Sequence, residues 1–235
     1  MARRKATEAN PPLSRATVVS AALDEIDENG LAAFSLRALA KRLGVYPSSI
    51  YWYVLNREEL LAEVLGQALL NSTPEEEQAD WRDSLRVMFE RFRESIRRHP
   101  NIAPLLASNL MVNVSLDFEF AERPLAALRA AGFEGEGLVA AFNLVMSTLM
   151  GFAPQEFSPA PSEANDEWKA QMEQRLSAVD DDAYPVLSAN IETLRNQAFF
   201  LRWLNGAEAP FDASYPLVVE ILIAGLEAAG AKARG

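Results

Sequence analysis

Arg37, Lys41, Arg42 and Arg57 stand in a stretch with no Asp or Glu from Asn29 to Arg57, in a chain whose net charge is -11. Guanidinium and ammonium groups bond phosphate oxygens, and arginine's planar fork also matches the edge of a guanine. Tyr51, Trp52 and Tyr53 bring aromatic rings to the same stretch. A cationic, aromatic-rich surface in an acidic protein points to nucleic acid. The charge is unevenly spread: residues 1–57 hold eight basic and five acidic side chains, whereas 58–235 hold fourteen and twenty-eight. DNA tolerates the first part and repels the second, so the N-terminal segment is expected to dock while the remainder faces away.

Other chemistries have little to build from. One histidine (His99) and no cysteine leave few parts for a nucleophile–base pair or a metal cluster. No enzymatic activity, cofactor or metal is therefore expected, and the lack of thiols fits a reducing compartment. The acidic runs Glu75–Glu77 and Asp180–Asp182 lack the alternating spacing of a calcium loop. Gly135-Glu-Gly-Leu-Val-Ala140 spells a dinucleotide fingerprint, but no strand precedes it. The basic start MARRKATEANPP has no apolar run behind it, so it does not read as a signal peptide. The apolar run Tyr215 to Ala229 is shorter than the roughly 20 residues that span a bilayer. The expectation is a cytoplasmic protein with no membrane partner.

Helix punctuation explains how the cationic residues are positioned. Ser14 caps a helix running to about Asn29 and Gly30 ends it, with Leu13 and Val18 spaced as a hydrophobic staple. Ser35 caps the next, stapled by Phe34 and Leu39 and ended by Gly44. Pro47 opens a third in its first turn, where a missing N–H is harmless. Asn56 and Glu59 form a capping box for a fourth, whose Leu60, Leu61, Val64, Leu65 and Ala68 make one apolar stripe. Ile50, Trp52, Leu39, Leu43 and Val45 read as the core of this small unit. Beyond the polar break at Ser72 to Ala79, helices are expected near 81–99, 101–111, 116–131, 136–152, 164–178, 183–204 and 213–229. The Pro- and Ser-rich segment 153–165 reads as a loop. Strand signals are nearly absent. The fold expected is all-α: an N-terminal three-helix helix-turn-helix domain (1–61, with an arm over 1–12 whose Arg3, Arg4 and Lys5 could add phosphate contacts) and a larger helical regulatory and dimerisation domain (62–235).

The run from Ala16 to Leu61 resembles the DNA-binding domain of the TetR family of bacterial transcriptional repressors. The residues that carry the likeness are Gly30, the run Ser35 to Val45, Ile50-Tyr-Trp-Tyr-Val54 and Asn56 to Leu61. The Tyr-Trp pair followed by Val-x-Asn is closest to the tetracycline-repressor-like branch. Residues 206–210 and 221–227 are similar to that branch's final helices. The resemblance implies a homodimer that binds a near-palindromic double-stranded operator and is released by a small organic effector. An activator, or a helical module that binds protein, is the alternative.

By the same resemblance, Ser35, Arg37, Pro47, Ser48, Ser49, Tyr51, Tyr53 and Arg57 fall at DNA-binding positions. Arg37 would reach a base edge, or else pair with phosphate. Ser48 and Ser49 would contact bases, or else only cap the helix. Tyr51, Tyr53 and Arg57 would hold the backbone, with Tyr53 standing where the branch has histidine. Lys41 and Arg42 read as solvated surface. A four-helix dimer interface is implied, with Leu138, Phe142, Val145, Leu149, Val218, Leu222 and Leu226 as its residues. Candidates for a ligand-pocket lining are Met88, Phe89, Phe92, Leu106, Met111, Phe118, Phe142, Met146, Met150 and Trp168, each of which taken singly reads as core before pocket. Asn109, Asn113 and Asn143 are candidate polar contacts. The branch's magnesium–drug effector needs histidines at positions that fall near Ser72 and Leu105, so that effector is not expected. His99 reads as the end of a helix.

Overall fold

The computed structural model describes residues 13–70, 72, 78–106, 118–159 and 164–233. Among them there is no strand. The helices are α1 (Arg15–Asn29), α2 (Leu36–Leu43), α3 (Pro47–Ile50), α4 (Arg57–Leu69), α5 (Trp81–Arg98), α6 (Ala103–Leu106), α7 (Phe118–Ala130), α8 (Gly135–Phe157), α9 (Asp166–Ser177), α10 (Pro185–Leu194) and α11 (Ser214–Ala233). Short 3-10 turns occupy Pro100–Ile102 and Phe199–Leu201.

The N-terminal punctuation acts as the sequence indicates. The Ser14 and Ser35 hydroxyls accept from the amides of Thr17 and Ala38, each at 3.2 Å. Phe34 and Leu39 are both buried, closing the second staple. Gly44 adopts the left-handed φ of 68°, which a side chain would resist. Its turn lets the Val45 N–H reach back to the Ala40 carbonyl at 3.0 Å, ending α2 within one residue. At α4 the Asn56 side chain accepts from the Glu59 amide at 2.8 Å, and Glu59 reaches back to the Leu55 N–H. These caps supply about 1 kcal/mol each. α4 runs without interruption across the expected 61/62 boundary, and its buried stripe joins α1 to the core of the whole chain.

Three expectations about the later helices need correction. The segment 153–157 is the last part of α8, with Ala153, Pro154, Glu156 and Phe157 buried. Glu156 is held by a bidentate pair with Arg93 of α5, Nε to Oε2 at 2.8 Å and Nη2 to Oε1 at 2.6 Å. The expected helix 183–204 stops at Leu194. Asn196, at a φ of 55°, accepts from the Trp203 and Leu204 amides at 3.0 and 3.2 Å, and this local bonding turns the chain back. The expected helix 101–111 begins as a 3-10 turn followed by α6; residues 107–111 lie outside the described residues.

The return segment 203–206 seats Gly206 against the end of α8, its N–H donating to the Glu156 carbonyl at 2.7 Å. A Cβ at Gly206 would lie 2.8 Å from that carbonyl oxygen and from Phe157 Cδ1. Gly206→Ala should therefore destabilise the chain by about 1–3 kcal/mol, the usual cost of overpacking, read as a lower urea midpoint.

α8 and α11 are both long and apolar enough to cross a membrane by length and composition, so the expectation of a run too short to span is corrected: α11 continues to Ala233. Each buries one face in the chain. Val145, Leu149, Leu222 and Leu226 point into that core, so they are not available to a dimer face as expected. Leu138, Phe142 and Val218 are half-buried. The uncovered apolar residues lie beside them, Val139 and Leu144 on α8 and Leu217 and Ile221 on α11, all 49–63% exposed. Small residues Ala140, Ala224, Gly225 and Ala228 lie between them, also exposed.

Candidate nucleic-acid interface

α1, α2 and α3 form a three-helix head around Val18, Ala22, Ile26, Leu39 and Ile50, each 0% exposed. Leu43 and Val45 are half-buried against that core. What remains outside α2 and α3 is a surface free of acid. Arg37, Lys41, Tyr46, Pro47, Ser48, Tyr51 and Trp52 are all exposed. The side chains of Arg37 and Lys41 make no hydrogen bond or ion pair among the described residues. Three of the head's acids, Glu25, Asp27 and Glu28, are engaged elsewhere. Arg42 holds Glu28 through two 2.6 Å bonds and Glu25 at 3.3 Å, so this exposed residue also ties α1 to α2. Arg15 pairs with Glu59 and Glu63 of α4. Two unpaired cations flanked by hydroxyls and rings make a surface that neutralises phosphate and can read base edges.

Individual residues meet or depart from their expected roles. Arg37 sits in the first turn of α2, with its guanidinium free to pair. Ser48 and Ser49 lie inside α3, whose N-cap is Tyr46, so helix capping does not account for their hydroxyls. Ser35 is exposed, but its hydroxyl is the α2 cap. Tyr53 departs most: its hydroxyl donates to the Leu13 carbonyl at 2.9 Å, which leaves no proton for a phosphate and corrects the expected backbone contact. Arg57 is half-buried, its guanidinium 5.7 Å from the Phe34 ring. Trp52, expected in the core, is 87% exposed, and Tyr46, which sequence reasoning passed over, is 81% exposed. A large ring left this bare beside α3 adds little to the packing among the described residues. The available signal was the place of Trp52 two residues after Ile50, the buried end of a four-residue helix.

The chain matches the description "Bacterial regulatory proteins, tetR family" over residues 18–64, and "Tetracyclin repressor-like, C-terminal domain" over residues 73–229. The second covers more than half of the chain. The protein belongs to the TetR family. It is a DNA-binding transcriptional regulator, and the family is one of regulators rather than enzymes. Among TetR relatives, an HTH-type transcriptional regulator of Saccharopolyspora erythraea is 29% identical over 192 residues, covering 79% of this chain and 78% of that one. The tetracycline repressor protein class C of Escherichia coli is 29% identical over 161 residues, 66% of this chain and 72% of that one. Apo ActR from Streptomyces coelicolor superposes with a TM-score of 0.70 at 26% identity, covering 96% of this chain and all of that one. ActR has also been solved with (S)-DNPA bound, at a TM-score of 0.67 and 25% identity over 94% of this chain and all of that one.

Among the described residues, the expected pocket lining falls in differing environments. Met88, Phe89, Phe92 and Leu106 are closely packed core, at most 5% exposed. Phe142, Met146, Met150 and Trp168 are half-buried, Asn143 is exposed and Phe118 is 77% exposed. Asn109, Met111 and Asn113 lie outside the described residues. An open groove of about 650 Å³ separates α5 from α11, and Phe89 alone of the expected set borders it. Its walls carry Arg93 and Arg97, both 2.9 Å from Asp212. Burial works against the Asp212 charge, yet the two guanidinium groups hold its carboxyl below the usual range. His99 ends α5, its N–H donating to the Ser95 carbonyl at 3.2 Å.

Proposed function

We propose that this chain is a ligand-responsive repressor that binds a near-palindromic operator as a homodimer and is released by a small organic effector. The observation that carries the proposal is the acid-free surface of α2 and α3, with Arg37 and Lys41 unpaired and Tyr46, Ser48, Tyr51 and Trp52 exposed around them. A head of this size contacts one half-site, so two heads about one helical turn apart are needed for a specific operator. The uncovered apolar faces of α8 and α11 supply the surface through which a second copy would bring the other head. In this reading the chain divides into a reading head (1–61) and a regulatory half (62–235), with α4 (Arg57–Leu69) shared between them. The ActR complex with (S)-DNPA supports an organic effector, and the unpaired cations support action on DNA in the cytoplasm.

Selection from fragmented genomic DNA at about 150 mM salt, where nonspecific binding is weak, tests this reading. Enrichment of a short sequence with two related half-sites is the expected result; no enrichment by a folded, dimeric protein would overturn it. At the recovered operator, Arg37→Ala should cost about 1–3 kcal/mol and relax preference at one base position. Uniform weakening across all sequences would instead make Arg37 a phosphate contact.

A further inference from the structure

Among the described residues, three buried side-chain polar atoms have no hydrogen-bond partner: Asp27 Oδ1, Arg195 Nε and Arg202 Nη1. Two of them belong to side chains whose charge is answered. His99 lies 2.7 Å from the other Asp27 oxygen, and Arg195 pairs with Glu192 at 2.7 Å. Arg202 touches only neutral groups. Its Nε donates to the Leu204 carbonyl at 2.7 Å, its Nη2 to the Ala209 carbonyl at 3.4 Å, and its guanidinium stands 4.3 Å over the Phe211 ring. Carbonyls and a ring face attract a cation without neutralising it.

Arg93 shows what a counter-charge does in the same half of the chain. Burial works against both guanidinium groups. At Arg93 the Glu156 and Asp212 carboxylates overcome it and raise the group, whereas Arg202 is lowered, with Glu156 opposing only through space. Glu156 is already taken by Arg93 and the Phe211 amide. The groove between α5 and α11 is a poorer place for an anion, because its Arg86, Arg93 and Arg97 hold the carboxylates of Glu220 and Asp212.

Phe211 also opens a cluster of rings beside the Arg202 cation. Phe199 meets it at 4.9 Å and Phe152 at 5.9 Å, while Phe152 and Phe199 lie 5.0 Å apart, all edge to face. Phe211 is buried and Phe152 half-buried, but Phe199 is 40% and Phe200 73% exposed. None of the three residues of the Phe199–Leu201 turn is buried. A cation short of an anion therefore borders rings short of cover.

We propose that Arg202 and this ring cluster form the effector site, and that the effector is an aromatic carboxylate. The carboxylate takes the Nη1 donor, where a charge-assisted bond is strong because the guanidinium already stands out of water. The ligand's ring covers Phe199 and Phe200 in the offset or edge-to-face manner that aromatic rings prefer. Nη1 is buried, so entry lifts the Phe199–Leu201 turn. A neutral aromatic makes the ring contacts but leaves the guanidinium unanswered. That the ligand is an effector rests on the function proposed above; that the chain binds it does not.

Benzoate, naphthoate and anthroate, each beside its primary amide, are to be titrated calorimetrically into the full-length chain without DNA. At least one acid should bind about tenfold or more tighter than its amide, the scale of one hydrogen bond to a charged group. Arg202→Gln, which keeps an N–H donor for the loop carbonyls, should bring the acid down to the level of its amide and leave the amide unchanged. Arg202→Lys should keep the preference for the acid. Phe199→Ala should weaken acid and amide alike, with circular dichroism confirming that each variant is folded. Equal affinity for acid and amide in the unsubstituted chain, or no binding of any acid, would overturn the proposal. So would an acid preference that survives in folded Arg202→Gln. Should the Arg202 variants not fold, undiminished acid binding by Phe199→Ala overturns it instead. An acid that binds through Arg202 but leaves the operator complex intact would count against the effector reading alone.

Discussion

Arg93→Met is expected to lower the stability of the chain by about 3–5 kcal/mol, the cost of leaving a buried charge without its partner. Glu156 has 0% side-chain exposure and receives two bonds from Arg93 and a third from the Phe211 amide at 2.8 Å. Arg93 also lies 4.8 Å over the Tyr215 ring, whose hydroxyl donates to the Phe89 carbonyl at 2.7 Å. These contacts tie α5, the end of α8 and the start of α11 together, and only the Phe211 amide would remain on Glu156 in the variant. Replacing both partners, Arg93→Met with Glu156→Leu, should recover most of the loss, because a buried pair contributes little over well-packed apolar side chains. Urea unfolding of the three proteins measures it. A cost below about 1 kcal/mol for the single variant, the scale of an exposed pair, would mean that water reaches Glu156.

Ile221→Asp is expected to yield a folded monomer whose operator binding drops by about a thousandfold or more, to the level of nonspecific association. Ile221 is 63% exposed on α11, so a carboxylate there costs the single chain little. It becomes costly only when a second copy covers it. Leu222→Asp, one residue on, should behave in the opposite way. Leu222 is 7% exposed in the chain's own core, and its replacement should unfold the protein before it dissociates a dimer. Sedimentation and circular dichroism on the two variants separate these outcomes. A dimeric Ile221→Asp protein would place the interface away from the α8–α11 face.

The difference between Ile221 and Leu222 marks where sequence reading runs out. Val218, Val219, Ile221, Leu222, Ile223 and Leu226 are apolar nearly all round the helix. With no polar side to orient it, periodicity says that the helix must be covered twice without saying which face meets its own chain. The same gap explains α8, where Val145 and Leu149 turned inward and Val139 and Leu144 outward. Trp52 was misassigned for a related reason: a large ring is read as core, and only the shortness of α3 puts it outside. The end of α8 depended on a group far away in sequence, Arg93 for Glu156, and the end of α10 on the fold-back of residues 203–204 onto Asn196.

What the residues alone determined is the reading head and its family. Caps at Ser14, Ser35 and Asn56, the Gly44 turn and the acid-free run around Arg37 all act within a few residues of themselves, so local chemistry suffices to place them. Only the tertiary structure decided which apolar faces stay uncovered, that Arg42 and Tyr53 are tied down within the head's own contacts, and that Asn101 caps α1 while His99 meets Asp27, from 72–75 residues away. Those contacts depend on how helices are set against one another, and helix-level patterns in a chain this apolar leave that setting open.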